Sequence, residues 1–111
     1  MKNPDILRNQ QDFNRLYKKA KSSGSKYVVI LYLKNGLTHN RMAFVASKKV
    51  GNSVKRHRAV RLMRESYRQL ESQFSIGYDL LFIARNTITE TKCADVKKSI
   101  EAAAKRAGIL G

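Results

Sequence analysis

The chain has 111 residues, 42% of them apolar, with 23 lysines and arginines against 8 acids, for a formal charge of +15. That length suits one domain over residues 1–111, and the apolar share speaks against disorder. So large a positive excess goes beyond what solubility requires and implies a polyanionic partner, either nucleic acid or an acidic membrane surface.

In chain order, the opening Met1-Lys2-Asn3-Pro4-Asp5 lacks the apolar stretch of a signal peptide, so the expected location is the cytoplasm. Asn9 reads as the N-cap of a first helix, in which Phe13, Leu16, Tyr17 and Ala20 recur on one face. Periodicity is lost from Lys18 to Lys26, where Ser and Gly mark a loop or a short irregular strand. Tyr27 to Leu33, β-branched and aromatic, is a strand followed by the turn residues Lys34-Asn35-Gly36. It is also the longest apolar run, and its strand length leaves no membrane span.

Arg41 to Ser47 is a second strand, and the short connection predicts that the two pair as an antiparallel hairpin. Both strands are apolar on two faces, so each side of the sheet needs a cover. A long helix starts at Asn52 or Ser53 and runs to near Phe74. At about 100° per residue, Val60, Met63, Tyr67, Leu70 and Phe74 form one stripe, while His57, Arg61, Arg64 and Arg68 lie within roughly 60° of each other elsewhere. Tyr78 to Ala84 is a third strand, able to lie parallel to one of the first two, and a last helix from about Lys92 stops at Gly108. The order α-β-β-α-β-α, with room for a short extra strand after the first helix, describes an α+β fold: a small mixed β-sheet with three helices packed on it.

Function concentrates between Ser47 and Arg68. Lys48, Lys49, Lys55, Arg56, Arg58, Arg61, Arg64 and Arg68 face a single acid, Glu65. A structural helix surface alternates signs to gain i,i+4 pairs, whereas like charges at this spacing repel, so the segregation points to a use. Guanidinium groups grip phosphate oxygens through paired donors, and the N–H groups of Asn52, Ser53 and Val54 at the helix start add an anion site. A DNA reader would carry base-edge residues such as Asn or Gln on a short recognition helix; here arginine dominates, favouring backbone and shape.

The run Ser47-Lys48-Lys49-Val50-Gly51-Asn52-Ser53-Val54-Lys55-Arg56-His57-Arg58, followed by Arg61, Arg64, Glu65 and Arg68, resembles the signature of the ribonuclease P protein family. Leu7, Asp12-Phe13 and Leu16-Tyr17 are similar to that family's first helix, and Tyr78 to Arg85 to its last strand. The resemblance implies a ribosomal protein S5 domain 2-like fold, with a left-handed crossover where generic chirality would give a right-handed one. It also implies two RNA surfaces on the protein subunit of a ribonucleoprotein that removes the 5′ leader of precursor tRNA. The catalytic RNA would lie on Lys48, Lys49, Asn52, Lys55, Arg56, His57, Arg58, Arg61, Arg64 and Arg68. The single-stranded leader would lie in a cleft between the first helix and the sheet, where Phe13 and Tyr17, with Tyr32 or Phe44, offer stacking faces. Phe13, Tyr32 and Phe44 read equally well as core, and strand faces are open until the position of the first helix is known. Two positions depart from the family pattern, His57 where Asn is usual and Val60 where Lys is frequent, implying altered contact strength rather than lost function.

Hydrolysis by the protein itself would call for clustered carboxylates or a positioned acid and base. The eight acids are scattered along the chain. Cys93 with His39 and His57 gives no zinc spacing and no disulfide. No catalytic residue and no metal site are therefore expected in the protein; the resemblance implies that the RNA and its substrate hold the Mg2+, with no membrane and no obligate protein partner. A ribosomal-type structural RNA binder is the alternative, and it would show no dependence on leader length.

Overall fold

The computed structural model describes residues 6–111, so the opening segment read above for its lack of a signal lies outside the described residues. Asn9 caps helix α1 (Gln10–Lys19), its side chain accepting the Gln11 N–H at 2.9 Å. Four strands follow in the order β1 (Lys21–Gly24), β2 (Val28–Lys34), β3 (Arg41–Val45) and, after helix α2 (Ser53–Leu70), β4 (Tyr78–Ala84). A 3-10 turn, Glu71–Gln73, extends α2 toward the expected end, and a second one, Asn86–Glu90, leads into α3 (Cys93–Ala107). Gly108 ends α3 in the left-handed conformation, with φ of 77°.

The sheet runs β1-β2-β4-β3. This corrects the expected hairpin: β2 and β3 run in opposite senses but are not neighbours, because β4 lies between them, antiparallel to β2 and parallel to β3. Two inter-strand spacings amount to about 10 Å, and a six-residue connection reaches about 20 Å, so a short link does not force adjacency. Burial decides the order. In β4 Leu80, Leu81 and Phe82 are all fully buried, whereas β1 and β3 are more exposed and take the edges. The short strand foreseen after α1 is β1, which forms the hairpin that β3 does not, pairing Ser22 with Leu31 and Ser23 with Ile30.

Strand alternation then divides the apolar residues between two layers. Val28, Ile30, Met42, Leu80, Phe82 and Ala84 point to one side, where Met63, Tyr67 and Leu70 of α2 and Val96, Ile100 and Ala104 of α3 complete the main core. The opposite side carries Ala43 and Leu81 with half-buried Leu31, Leu33, Val45 and Ile83, and α1 with its C-cap covers it, through Leu16, Phe13 and Ala20. Leu7 joins this smaller cluster because the chain entering α1 runs along the free edge of β3, the Leu7 N–H donating to the Met42 carbonyl at 2.9 Å. At the far end the C-terminal residues clasp the exit of α2, with Ser75 N–H donating to Ile109 O at 2.8 Å and Gly111 N–H to Gln73 O at 2.7 Å.

Candidate nucleic-acid interface

The basic helix starts from a tight turn. Ser47 O accepts the Val50 N–H at 3.0 Å, Val50 is buried, and Gly51 then takes φ of 143°, a region that favours glycine. Asn52 caps α2, its side chain accepting the Lys55 N–H at 3.0 Å, so the positive end of the helix dipole faces the surface bearing Lys48 and Lys49. A Cβ at position 51 would lie 2.7 Å from the Lys55 Cδ. Gly51→Ala is expected to cost about 1–3 kcal/mol through that backbone strain, and thermal unfolding at fixed salt measures it; an unchanged midpoint would show that the turn relaxes freely.

Ala59, Met63, Ser66, Tyr67 and Leu70 face the core, so His57, Arg61, Arg64 and Arg68 stand exposed on the far side as a comb about three turns long. Lys48, Lys49, Asn52 and Lys55 extend the exposed basic surface at its start. Glu65 interrupts it only by pairing with Arg68 at 2.6 Å, an exposed contact of small worth. Two residues of the predicted set sit differently. Arg56 is half-buried on the packed flank, and the Arg58 guanidinium donates to the backbone carbonyls of Thr89, at 3.1 Å, and Thr91. Arg58 therefore ties α2 to the segment before α3, with two of its five N–H donors engaged there.

On the α1 side, Phe13 leans on the smaller apolar cluster while Tyr17, one turn on, is 60% exposed beside the sheet. The exposed flank of that layer is aliphatic, formed by half-buried Leu31, Leu33, Val45 and Ile83. Tyr32 and Phe44 do not belong there, which corrects their grouping with Phe13 and Tyr17. Strand parity turns both to the α2–α3 face, where Tyr32 meets Tyr78 edge-on and Phe44 stacks on Phe82 with centroids 5.0 Å apart. The faces could not be assigned before the side of the sheet covered by α1 was known.

One group at this site was missed. Asp79, counted among scattered acids, is fully buried, and it is the hub that fixes α1 on the sheet. Arg41 Nε and Nη2 donate to its two oxygens at 2.9 and 2.8 Å, Arg15 Nη2 from α1 donates at 2.7 Å, and Asn35 Nδ2 at 3.0 Å. Asp12 joins the same arginines at 3.3 and 3.5 Å. Burial pushes the Asp79 carboxyl upward, but the donors from Arg41, Asn35 and Arg15 outweigh it and hold the group below the usual carboxylate range. The signal was in the sequence: an acid inside an otherwise apolar strand has to find buried partners. Because the two carboxylates that come together are bridged by arginines, they do not form a cage for a divalent ion; among the described residues no group of three or more acids, His or Cys gathers elsewhere.

The matching family model is that of ribonuclease P, and it spans residues 1–108. The chain belongs to the ribonuclease P protein family. It is 43% identical over 100 residues to the ribonuclease P protein component of Alkaliphilus oremlandii, covering 90% of this chain and 88% of that one. The corresponding component of Pelotomaculum thermopropionicum is 38% identical over 109 residues, 98% of this chain and 97% of its own. Among solved structures, the Staphylococcus aureus RNase P protein superposes with a TM-score of 0.87 at 27% identity, covering 98% of this chain and all of that one. The Thermotoga maritima RNase P protein gives 0.83 at 28%, over 96% and 98%. The α+β fold read from the sequence is therefore that of the ribonuclease P proteins, down to the helix before the sheet and the long helix between β3 and β4.

Proposed function

We propose that this chain is the protein subunit of the ribonuclease P ribonucleoprotein. It binds the catalytic RNA along the comb of α2 and holds the single-stranded 5′ leader of precursor tRNA against α1 and its aliphatic flank. The observation that carries this reading is the placement of a basic helix and an exposed aromatic helix on opposite faces of one sheet, which lets one protein touch two RNAs at once. Endonucleolytic removal of the leader is the work of the holoenzyme, with the chemistry and its Mg2+ on the RNA and substrate. The protein contributes binding: arginines offset phosphate repulsion, so the substrate and its metal ions are held at lower magnesium. The setting is the cytoplasm.

The experiment is cleavage of precursor tRNA by a bacterial ribonuclease P RNA at low magnesium, with and without this protein, over leaders of increasing length. Stimulation that grows with leader length until the α1 site is filled is the expected result; length-independent stimulation would refute the leader site. Tyr17→Ala removes an exposed ring without opening the core. It is expected to weaken binding of leader-bearing substrate by roughly 5- to 150-fold, a stacked base being worth about 1–3 kcal/mol, and to leave mature tRNA unaffected. Equal losses for both ligands would contradict the assignment.

A further inference from the structure

Where α2 passes the outer edge of the sheet, the comb borders a cavity of about 270 Å3. Its floor is Met42, Phe44 and Tyr67, and Arg64, Arg68 and Glu71 stand around it. We propose that this cavity takes one unpaired nucleotide of the RNA lying along the comb, the base stacked on Phe44 and its flanking phosphates on Arg64 and Arg68. The inference rests on the reading of α2 as the catalytic RNA's face.

Three features support it. Phe44 is a firm platform: one side of the ring stacks on Phe82 at 5.0 Å and 18°, Tyr67 braces it at 6.0 Å, and the ring stays half-exposed at the cavity. The Arg64 guanidinium stands 5.9 Å from the ring centroid, so a flexible cation already covers the place where a planar group would be sandwiched. Both arginines belong to the comb as well as to the cavity, so a nucleotide leaving the comb-bound strand would carry its phosphates onto them. A half-open site of this volume has room for a base and its sugar but not for a duplex, and stacking makes it tolerant of sequence. Glu71 narrows that tolerance. A carboxylate only accepts hydrogen bonds, so it favours the two-donor exocyclic amino groups of adenine, cytosine and guanine over uracil, whose one donor is the N3–H.

The cavity is on the face opposite α1, so it is a site apart from the leader. Phe44→Leu keeps an apolar side chain against Phe82 and removes the platform; thermal melting checks that the variant is folded. With a bacterial ribonuclease P RNA, Phe44→Leu should bind roughly tenfold more weakly with the salt dependence of binding unchanged, because the phosphate contacts remain. In a ribose-reactivity footprint, one nucleotide protected by the wild-type protein should become reactive with the variant. Wild-type affinity and an unaltered footprint from folded Phe44→Leu would overturn the proposal while leaving the proposed function intact. A wild-type protein that binds no such RNA would instead remove the functional reading. The cavity is tested independently by short single strands: the Met42 methyl resonance should shift more with oligoadenylate than with oligouridylate, and Glu71→Ala should erase that preference. No Met42 shift with either strand would also overturn the proposal.

Discussion

Asp79→Asn is expected to lower the unfolding free energy by about 3–5 kcal/mol at neutral pH, the cost of removing one partner from a buried ion pair. The carboxylate, itself closed to solvent, takes four donated hydrogen bonds from Arg41, Arg15 and Asn35. An amide offers one accepting oxygen and turns an N–H2 toward guanidinium donors, so Arg41 and Arg15 lose charge balance together. Since Arg15 is on α1 and Arg41 on β3, the loss loosens the helix from the sheet and with it the placement of Phe13 and Tyr17. The pH dependence has a definite sign. The folded carboxyl lies below the unfolded value of about 3.9, so its contribution is complete above that value and disappears as pH falls through the folded one. The gap between wild type and variant in urea titrations should be widest above about pH 5 and narrow below about pH 4. A gap constant from pH 3 to 7 would show that Asp79 acts through packing alone.

Arg61→Ala combined with Arg64→Ala should cost the second large amount, this time in affinity. At about 1.5 kcal/mol for each charged hydrogen bond to phosphate, the pair is worth roughly 3 kcal/mol, a hundredfold in dissociation constant. The more diagnostic quantity is the slope of log affinity against log salt, which should fall in magnitude by about 2, one unit per lost phosphate contact. Both side chains are exposed on the comb, so stability should be little affected. Reduced affinity with an unchanged salt slope would mean that the two arginines contact something other than the backbone.

Much of this was readable before the structure. Asn9 announced the first cap and the Asn52-Ser53 pair the start of α2, where Asn52 proves to be the cap; the spacing of Met63, Tyr67 and Leu70 announced which side of α2 is buried, and the remaining arc announced the comb. These are local properties, set by 3.6-residue periodicity and by a side chain reaching its own helix. What escaped was set at long range. The insertion of β4 between β2 and β3 depends on which strand gains most from being covered on both sides, a comparison across the sheet that no window of sequence contains. Which side of the sheet α1 covers is likewise set at long range, and while that was open Tyr32 and Phe44 were grouped with Phe13. The engagement of Arg58 by Thr89 and Thr91 lies 31 and 33 residues along the chain and has no local signature.

The strand order also bears on how the molecule comes into being. As the chain leaves the ribosome, β1 and β2 can zip together at once, but β3 has no partner strand until Tyr78–Ala84 arrives to fill the gap beside it. Until then the inner edges of β2 and β3 are open, and the apolar stripe of α2 has an incomplete sheet to rest on. Closure of the sheet is thus a late, non-local step. It completes the aliphatic flank beside α1 and the platform beneath Phe44 in the same event, because Leu81 and Ile83 supply the first and Phe82 the second. A nascent chain shorter than this strand would display the cationic helix without either shaped surface, able to attract polyanions but not to discriminate among them.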